Sequence, residues 1–140
     1  MFILDTNVLS AMMSAQPVPQ LAAWVAAQQT ELLFTASVCQ AEILSGLAIM
    51  PQGRRRKALE AAALSMFVED FEGRVLPFDM AAAVAFAEIF AARRLADRST
   101  ATLDLMIASI ARAHGASVVT RDSDGFDGSG VTVIDPWAAS

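Results

Sequence analysis

The stretch Met1-Phe2-Ile3-Leu4-Asp5-Thr6-Asn7-Val8-Leu9-Ser10 decides the fold. Residues 1–4 form a short apolar run that stops on a carboxylate, the pattern of a strand buried on both faces of a parallel sheet. Asp5 or Thr6 can then cap a helix running through Met13. The rest of the chain repeats this alternation. Pro17 and Pro19 mark a break, after which Leu21, Trp24, Val25 and Gln28 keep helical spacing to about Gln29. Residues 32–35 read as a second strand. Ser37 is a good N-cap for a helix reaching Met50, where Pro51 and Gly53 stop it. A further helix is expected over 54–68 and a third strand over 75–78. Asp79 caps a long helix to about Ala96. Residues 97–102 form a polar loop, and Thr100 or Thr102 caps a helix that ends near His114, with Gly115 as its stop. A fourth strand over 116–120, a loop rich in Asp, Gly and Ser over 122–130, and a fifth strand over 131–134 closed by Pro136 complete the chain. Strands alternating with helices predict an α/β three-layer sandwich: a central, mainly parallel five-stranded sheet with helices on both faces.

The 140 residues suit a single domain spanning 1–140. Their hydrophobic share is 55%, above the roughly 45–50% of an ordinary soluble domain, so the surplus needs a place to be buried. No stretch has the roughly 18 uncharged apolar residues of a membrane-spanning helix, because Glu88 interrupts the longest greasy run. The N-terminal apolar run is too short for a signal peptide, and a cytoplasmic protein with no membrane partner is expected. Cys39 is the only cysteine, which excludes an internal disulfide. The apolar surplus then points to protein interfaces, either a homodimer or a partner covering an apolar groove. The net charge of −5 argues against nucleic-acid binding by bulk attraction. Basic residues do cluster, at Arg54, Arg55, Arg56 and Lys57 and again at Arg93, Arg94 and Arg98. Solvated helix ends and faces are the reading preferred for each cluster taken alone.

Ligands of open parallel sheets bind beyond the carboxyl ends of the strands, where the strand order reverses. Asp5 closes the first strand and Asp122 lies just past the fourth, so neighbouring strands would bring both to one rim. Two more acids interrupt apolar helices. Glu42 has Ser45 and Gly46 on its side of the helix, and Asp104 has Ala108 and Ala111, so small neighbours leave room beside each carboxylate. Converging without cations, the four would repel one another and their pKa values would rise. A hard divalent ion such as Mg²⁺ or Mn²⁺ resolves that conflict, because it takes oxygen ligands and suits phosphate substrates. With His114 the only histidine and Cys39 the only thiol, zinc, a serine triad and a cysteine protease are disfavoured. Each acid also has a structural reading: Asp5 as an N-cap, Asp104 as a first-turn acid favoured by the helix dipole, Glu42 as an exposed helix residue, and Asp122 as a turn former. Asp124 and Asp127 compete with Asp122 for the fourth position. Cys39 is read as packing and His114 as a helix-end residue.

The opening Phe2-Ile3-Leu4-Asp5-Thr6-Asn7-Val8-Leu9-Ser10 resembles the start of PIN domains, in particular the VapC-type toxins and their FitB-like relatives. The segment from Ser37 to Gly46 around Glu42 is similar to that family's second motif. Asp104-Leu105-Met106-Ile107-Ala108 resembles its third motif, Val118-Val119-Thr120-Arg121-Asp122 its fourth, and the tail from Gly130 to Trp137 its closing strand. The resemblance implies a Mg²⁺- or Mn²⁺-dependent endoribonuclease, with Asp5, Glu42, Asp104 and Asp122 as its acidic catalytic and metal-binding site. Thr6, Asn7 and Thr120 would orient ligands or water beside it. It further implies a homodimer and a cognate antitoxin whose chain covers a hydrophobic groove and blocks the site, with DNA met only through that antitoxin. The chain departs from the pattern in the fourth motif, where many relatives have Asn in place of Asp122 and Asp in place of Gly125. Arg93, Arg94 and Arg98 precede the Asp104 helix and are candidate RNA-backbone contacts.

Three other readings compete. A phosphatase of the haloacid type also begins on a strand-end aspartate, but it needs a second one where this chain has Asn7. The alternatives outside that class are a non-catalytic module that binds RNA or an antitoxin, and a stand-alone nuclease acting on DNA.

Overall fold

The computed structural model describes residues 1–96, 98 and 101–138. Its first strand, β1 (Phe2–Leu4), is the middle of a five-stranded sheet ordered β3-β2-β1-β4-β5, formed with β2 (Leu33–Ala36), β3 (Val75–Leu76), β4 (Ser117–Val119) and β5 (Val133–Ile134). All four pairings are parallel, so the sheet is wholly rather than mainly so. Ile3 and Leu4 are fully buried, as a strand with neighbours on both edges and helices on both faces requires.

The strand order explains where a site can form. The chain moves from β1 to β2 to β3 in one direction, then crosses back to lay β4 on the other side of β1. Right-handed crossovers put the helices before and after that reversal on opposite faces. The reversal leaves a crevice beyond the ends of β1 and β4. In register, Leu4 faces Val119, and the Asp5 N–H donates to the Val119 carbonyl at 2.9 Å. Asp5 and Thr120 therefore leave the sheet side by side.

Six α-helices occur among the described residues: α1 (Thr6–Met12), α2 (Pro19–Ala27), α3 (Ser37–Ala48), α4 (Arg54–Ser65), α5 (Met80–Leu95) and α6 (Thr102–His114). Most begin and end within a residue or two of expectation, and three details differ. Ser37 is the first residue of α3 rather than its cap; Ala36 holds the cap position with no side-chain hydrogen bond, because β2 runs straight into the helix. The helix expected over 54–68 gives way at Met66–Asp70 to a wider π turn that buries Met66 and Phe67. Thr102 likewise begins α6 behind an uncapping Ala101; Thr100, the other expected cap, lies outside the described residues, as do Asp97 and Ser99 of the expected loop. Four of the five strands are also shorter than the apolar runs that signalled them, while β2 keeps its length and starts one residue later. Thr30–Leu32 forms a 3₁₀ turn ahead of β2, and β5 uses only the last two residues of its run.

Two termini do follow the expected chemistry. Gly115 ends α6 in the left-handed region at φ 64°, which an L side chain disfavours. Asp79 caps α5 through a 3.0 Å hydrogen bond accepted from the Ala82 N–H. None of the described helices is long and apolar enough to cross a membrane. Asp79→Ala is expected to cost about 1 kcal/mol, the usual worth of such a cap. Urea unfolding measures it, with the slope unchanged and the midpoint lowered.

Candidate active site

The site is assembled at the end of β1. Asp5 is 5% exposed, and each of its carboxylate oxygens is engaged. Oδ1 accepts from the Thr6 N–H at 2.7 Å, which caps α1, while Oδ2 accepts from the Thr120 hydroxyl at 2.8 Å. The same carboxylate therefore caps α1 and ties it to Thr120 at the head of the candidate site. The Thr6 hydroxyl reaches the other way and donates to Glu42 Oε1 at 2.7 Å, tying α1 to α3. Thr120 also accepts from the Asn7 side-chain amide at 3.0 Å and from the Asp122 N–H at 3.1 Å. Asn7 Oδ1 accepts from the Arg121 N–H at 3.2 Å. Thr6, Asn7 and Thr120 thus join Asp5, Glu42 and the Asp122 backbone in one hydrogen-bonded chain.

Asp104 completes the group from the first turn of α6. The turn Ser123–Phe126 comes so close that a Cβ on Gly125 would lie 2.6 Å from Asp104 Oδ2 and 3.8 Å from Asp122 Oδ2. Glycine at 125 is what lets this turn close on the two carboxylates, a demand that its place in the motif did not reveal. Asp124 lies exposed in that same turn, its carbonyl accepting the Asp127 N–H, and Asp127 lines a separate hollow with Arg98 and Gly128.

Electrostatics shows how near the four acids are. Burial pushes Asp104 up to about 6, and the charges of Asp5, Asp122 and Glu42 push the same way, with Arg93 opposing them. Burial also raises Asp5; its hydrogen bonds from Thr120 and Thr6 offset part of this, and the charges of Glu42 and Asp122 add to it. Asp104 lies within electrostatic reach of the other three carboxylates, and Asp5 within reach of Glu42 and Asp122. Among the described residues, however, no three His, Cys, Asp or Glu side chains form a ready-made cage for an ion. Such an oxygen-only, acidic and incomplete donor set fits Mg²⁺ or Mn²⁺, which binds through one or two carboxylates and keeps several waters.

The other singled-out residues fall elsewhere. Burial drives the Cys39 thiol up to about 12, with the Asp5 charge adding to it, so it is packed and inert. His114 is exposed at the end of α6. Arg93 needs correction as a backbone contact: it is 6% exposed, and its charge acts on Asp104 rather than facing solvent. Arg94 and Arg98 are exposed. Arg56 pairs with Glu60 at 3.0 Å, and Arg55 lines a groove of about 700 Å³ that starts at Thr6 and Glu42 and continues past Met13, Ile43, Leu47 and Leu59.

Comparison with known proteins places this geometry. The PIN domain family matches residues 2–128. The plasmid stability protein StbB of Pseudomonas syringae pv. tomato is 39% identical, over 99% of this chain and 100% of that one. The VapC ribonuclease Y4jK of Sinorhizobium fredii is 37% identical, over 98% of each. Among solved structures, FitAB bound to an IR36 DNA fragment, whose toxin FitB is known from Neisseria gonorrhoeae, superposes with a TM-score of 0.92 at 31% identity, covering 100% of this chain and 98% of that one. The chain belongs to the PIN-domain family, among its VapC- and FitB-like members.

Proposed function

We propose that this chain is a metal-dependent endoribonuclease, the toxin of a toxin–antitoxin pair, that hydrolyses RNA phosphodiester bonds at the crevice between β1 and β4. The observation that carries the reading is the convergence of Asp5, Glu42, Asp104 and Asp122 from four separate parts of the chain, with mutual repulsion that a hard cation would relieve. These four would hold Mg²⁺ or Mn²⁺, and the ion supplies an acidified water and neutralises charge on a phosphodiester. The protein's own part is placement. Thr120 and Thr6 clamp both oxygens of Asp5, so its carboxylate cannot turn away, and Thr6 does the same for one oxygen of Glu42. Gly125 lets the Ser123–Phe126 turn pack closely against Asp104 and Asp122 without displacing either carboxylate.

The groove that starts at Thr6 and Glu42 is where the antitoxin chain is proposed to lie. It is mostly apolar, carries Arg55, and opens at the carboxylates, so an occupant would block access to them. DNA is met through the antitoxin. Met80, Val84 and Leu95 of α5 are exposed apolar residues and support a homodimer.

Asp5→Asn is the primary test. Asparagine caps helices as well as aspartate does, so α1 should form, and removing one charge relieves repulsion. Cleavage of single-stranded RNA in Mg²⁺ or Mn²⁺ is expected to fall at least about 100-fold, with an unchanged circular dichroism spectrum. A variant that cuts as fast as wild type would remove the nuclease from this site, and parallel DNA substrates separate a ribonuclease from a DNA nuclease.

Two further outcomes follow from the electrostatics. Asp104 binds its proton more tightly folded than unfolded, since about 6 exceeds the ordinary 3.8. Its contribution to stability is therefore present below pH 3.8 and is lost as pH rises through about 6. Metal-free Asp104→Asn should melt above wild type at pH 7.5, with the difference closing by pH 4; Mg²⁺ should reduce it at pH 7.5. Equal melting temperatures at both pH values would contradict the crowding. Gly125→Ala needs no strained backbone, so it should fold, yet its methyl must displace the Asp104 carboxylate. A loss of about tenfold in Mn²⁺ affinity and in cleavage is expected, read by calorimetric titration and a gel assay.

A further inference from the structure

Arg121 lies between Thr120 and Asp122, immediately past β4, with its side chain exposed. Its main chain is tied to the site, since its N–H donates to Asn7, which donates to Thr120, which donates to Asp5. Its guanidinium lies over the Trp137 ring, 5.4 Å from the centroid. Trp137 is itself fixed: its N–H donates to Asp135 Oδ1 at 2.9 Å, and its half-buried ring packs against the core. An exposed arginine is thus held at both ends.

Three other arginines are engaged by acceptors. Arg56 pairs with Glu60, Arg112 with Glu88, and Arg74 donates to the carbonyls of Thr30, Leu33 and Asp70. Among the described residues Arg121 makes no ion pair and no side-chain hydrogen bond. A cation–π contact with an indole uses none of the guanidinium N–H donors as hydrogen bonds, so they stay available in the fork that fits two oxygens of a phosphate. The location matters equally. β5 flanks β4 on the side away from β1, and the Thr120 N–H donates to the Ile134 carbonyl. The Arg121–Trp137 pair therefore joins the chain leaving β4 to the chain leaving β5, on the side of β4 away from β1.

We propose that Arg121, braced by Trp137, binds the phosphodiester of single-stranded RNA adjacent to the one held at the carboxylates, an inference that rests on the ribonuclease reading. Four carboxylates repel a polyanion, and a fixed cation just past β4 counters that repulsion where the strand must pass. Arg94 and Arg98 are exposed, and among the described residues neither lies over an aromatic ring. Because the contact is to the backbone, it serves every sequence alike.

The test is binding of two unrelated fluorescent oligoribonucleotides to the full chain, followed by anisotropy in Ca²⁺ at rising NaCl. Arg121→Gln should weaken both about tenfold, and flatten the slope of log affinity against log salt by about 0.7. Arg121→Lys should keep the slope but lose several-fold, because lysine keeps the charge without the planar fork. Trp137→Leu should fall between them. Arg121→Gln binding like wild type, or losing only one of the two sequences, would overturn the contact. Cleavage in Mg²⁺ keeps the two readings apart. Wild type that binds without cutting defeats the ribonuclease reading and leaves the contact standing; wild type that cuts, beside Arg121→Gln that binds equally well, defeats the contact alone. Wild type that binds neither oligonucleotide defeats both, and loss of a protein partner by Arg121→Gln with RNA binding intact would assign the arginine to that partner.

Discussion

Four negative charges gathered at the reversal point of a parallel sheet repel one another, and the arrangement of the surrounding groups follows from that repulsion. Asp5 is buried where a carboxylate is unfavourable, and it is kept there by two donors, the Thr6 N–H and the Thr120 hydroxyl. Glu42 is drawn toward the same point by the Thr6 hydroxyl. Asp104, half-buried and opposed by three like charges, holds its proton up to about 6. Only the fixed positions of β1, β4, α3 and α6 keep such groups together, so the stability of the fold is spent in part on maintaining a site that opposes it. On the proposed reading a bound cation would relieve it, because it would turn the repulsion into attraction without moving the backbone.

The same topology accounts for the sharing of roles among neighbouring residues. Asp5 is both the cap of α1 and the first acid of the site because its two oxygens point to different partners. Thr120 serves Asp5 with its proton and receives the Asn7 amide and the Asp122 N–H with its lone pairs. The strand-to-helix junctions at Asp5 and at Ala36 thus deliver Thr6, Asn7 and, one turn into α3, Glu42 to a common edge. One more hydrogen bond joins these junctions, as the buried Thr35 hydroxyl donates to the Leu4 carbonyl at 2.8 Å.

Much of this was legible in the residues because it depends on contrasts in polarity. A carboxylate ending an apolar strand, or interrupting an apolar helix beside small residues, marks Asp5, Glu42 and Asp104. The alternation of apolar runs with capped helices yields the α/β sandwich, down to the Asp79 cap and the Gly115 stop. Less was legible where tertiary contact decides. Ser37 looked like a cap, but the strand enters the helix directly and Ala36 takes that place. β3 and β5 are two residues each, too short for periodicity to bound. Arg93 looked like one of a basic patch, and only packing turns it inward toward Asp104. Gly125 is small for a reason that lies 21 positions away in the chain, and no local pattern records that distance. Arg121 was passed over for a similar reason, since Trp137 meets it only once β4 and β5 are paired.

A crystal soaked in Mn²⁺, with anomalous scattering recorded at the manganese edge, tests the central claim most directly. The account predicts a peak in the crevice bounded by Asp5, Glu42, Asp104 and Asp122, lost in Asp5→Asn. An empty crevice at saturating Mn²⁺, or a peak only at Asp124 and Asp127, would contradict it.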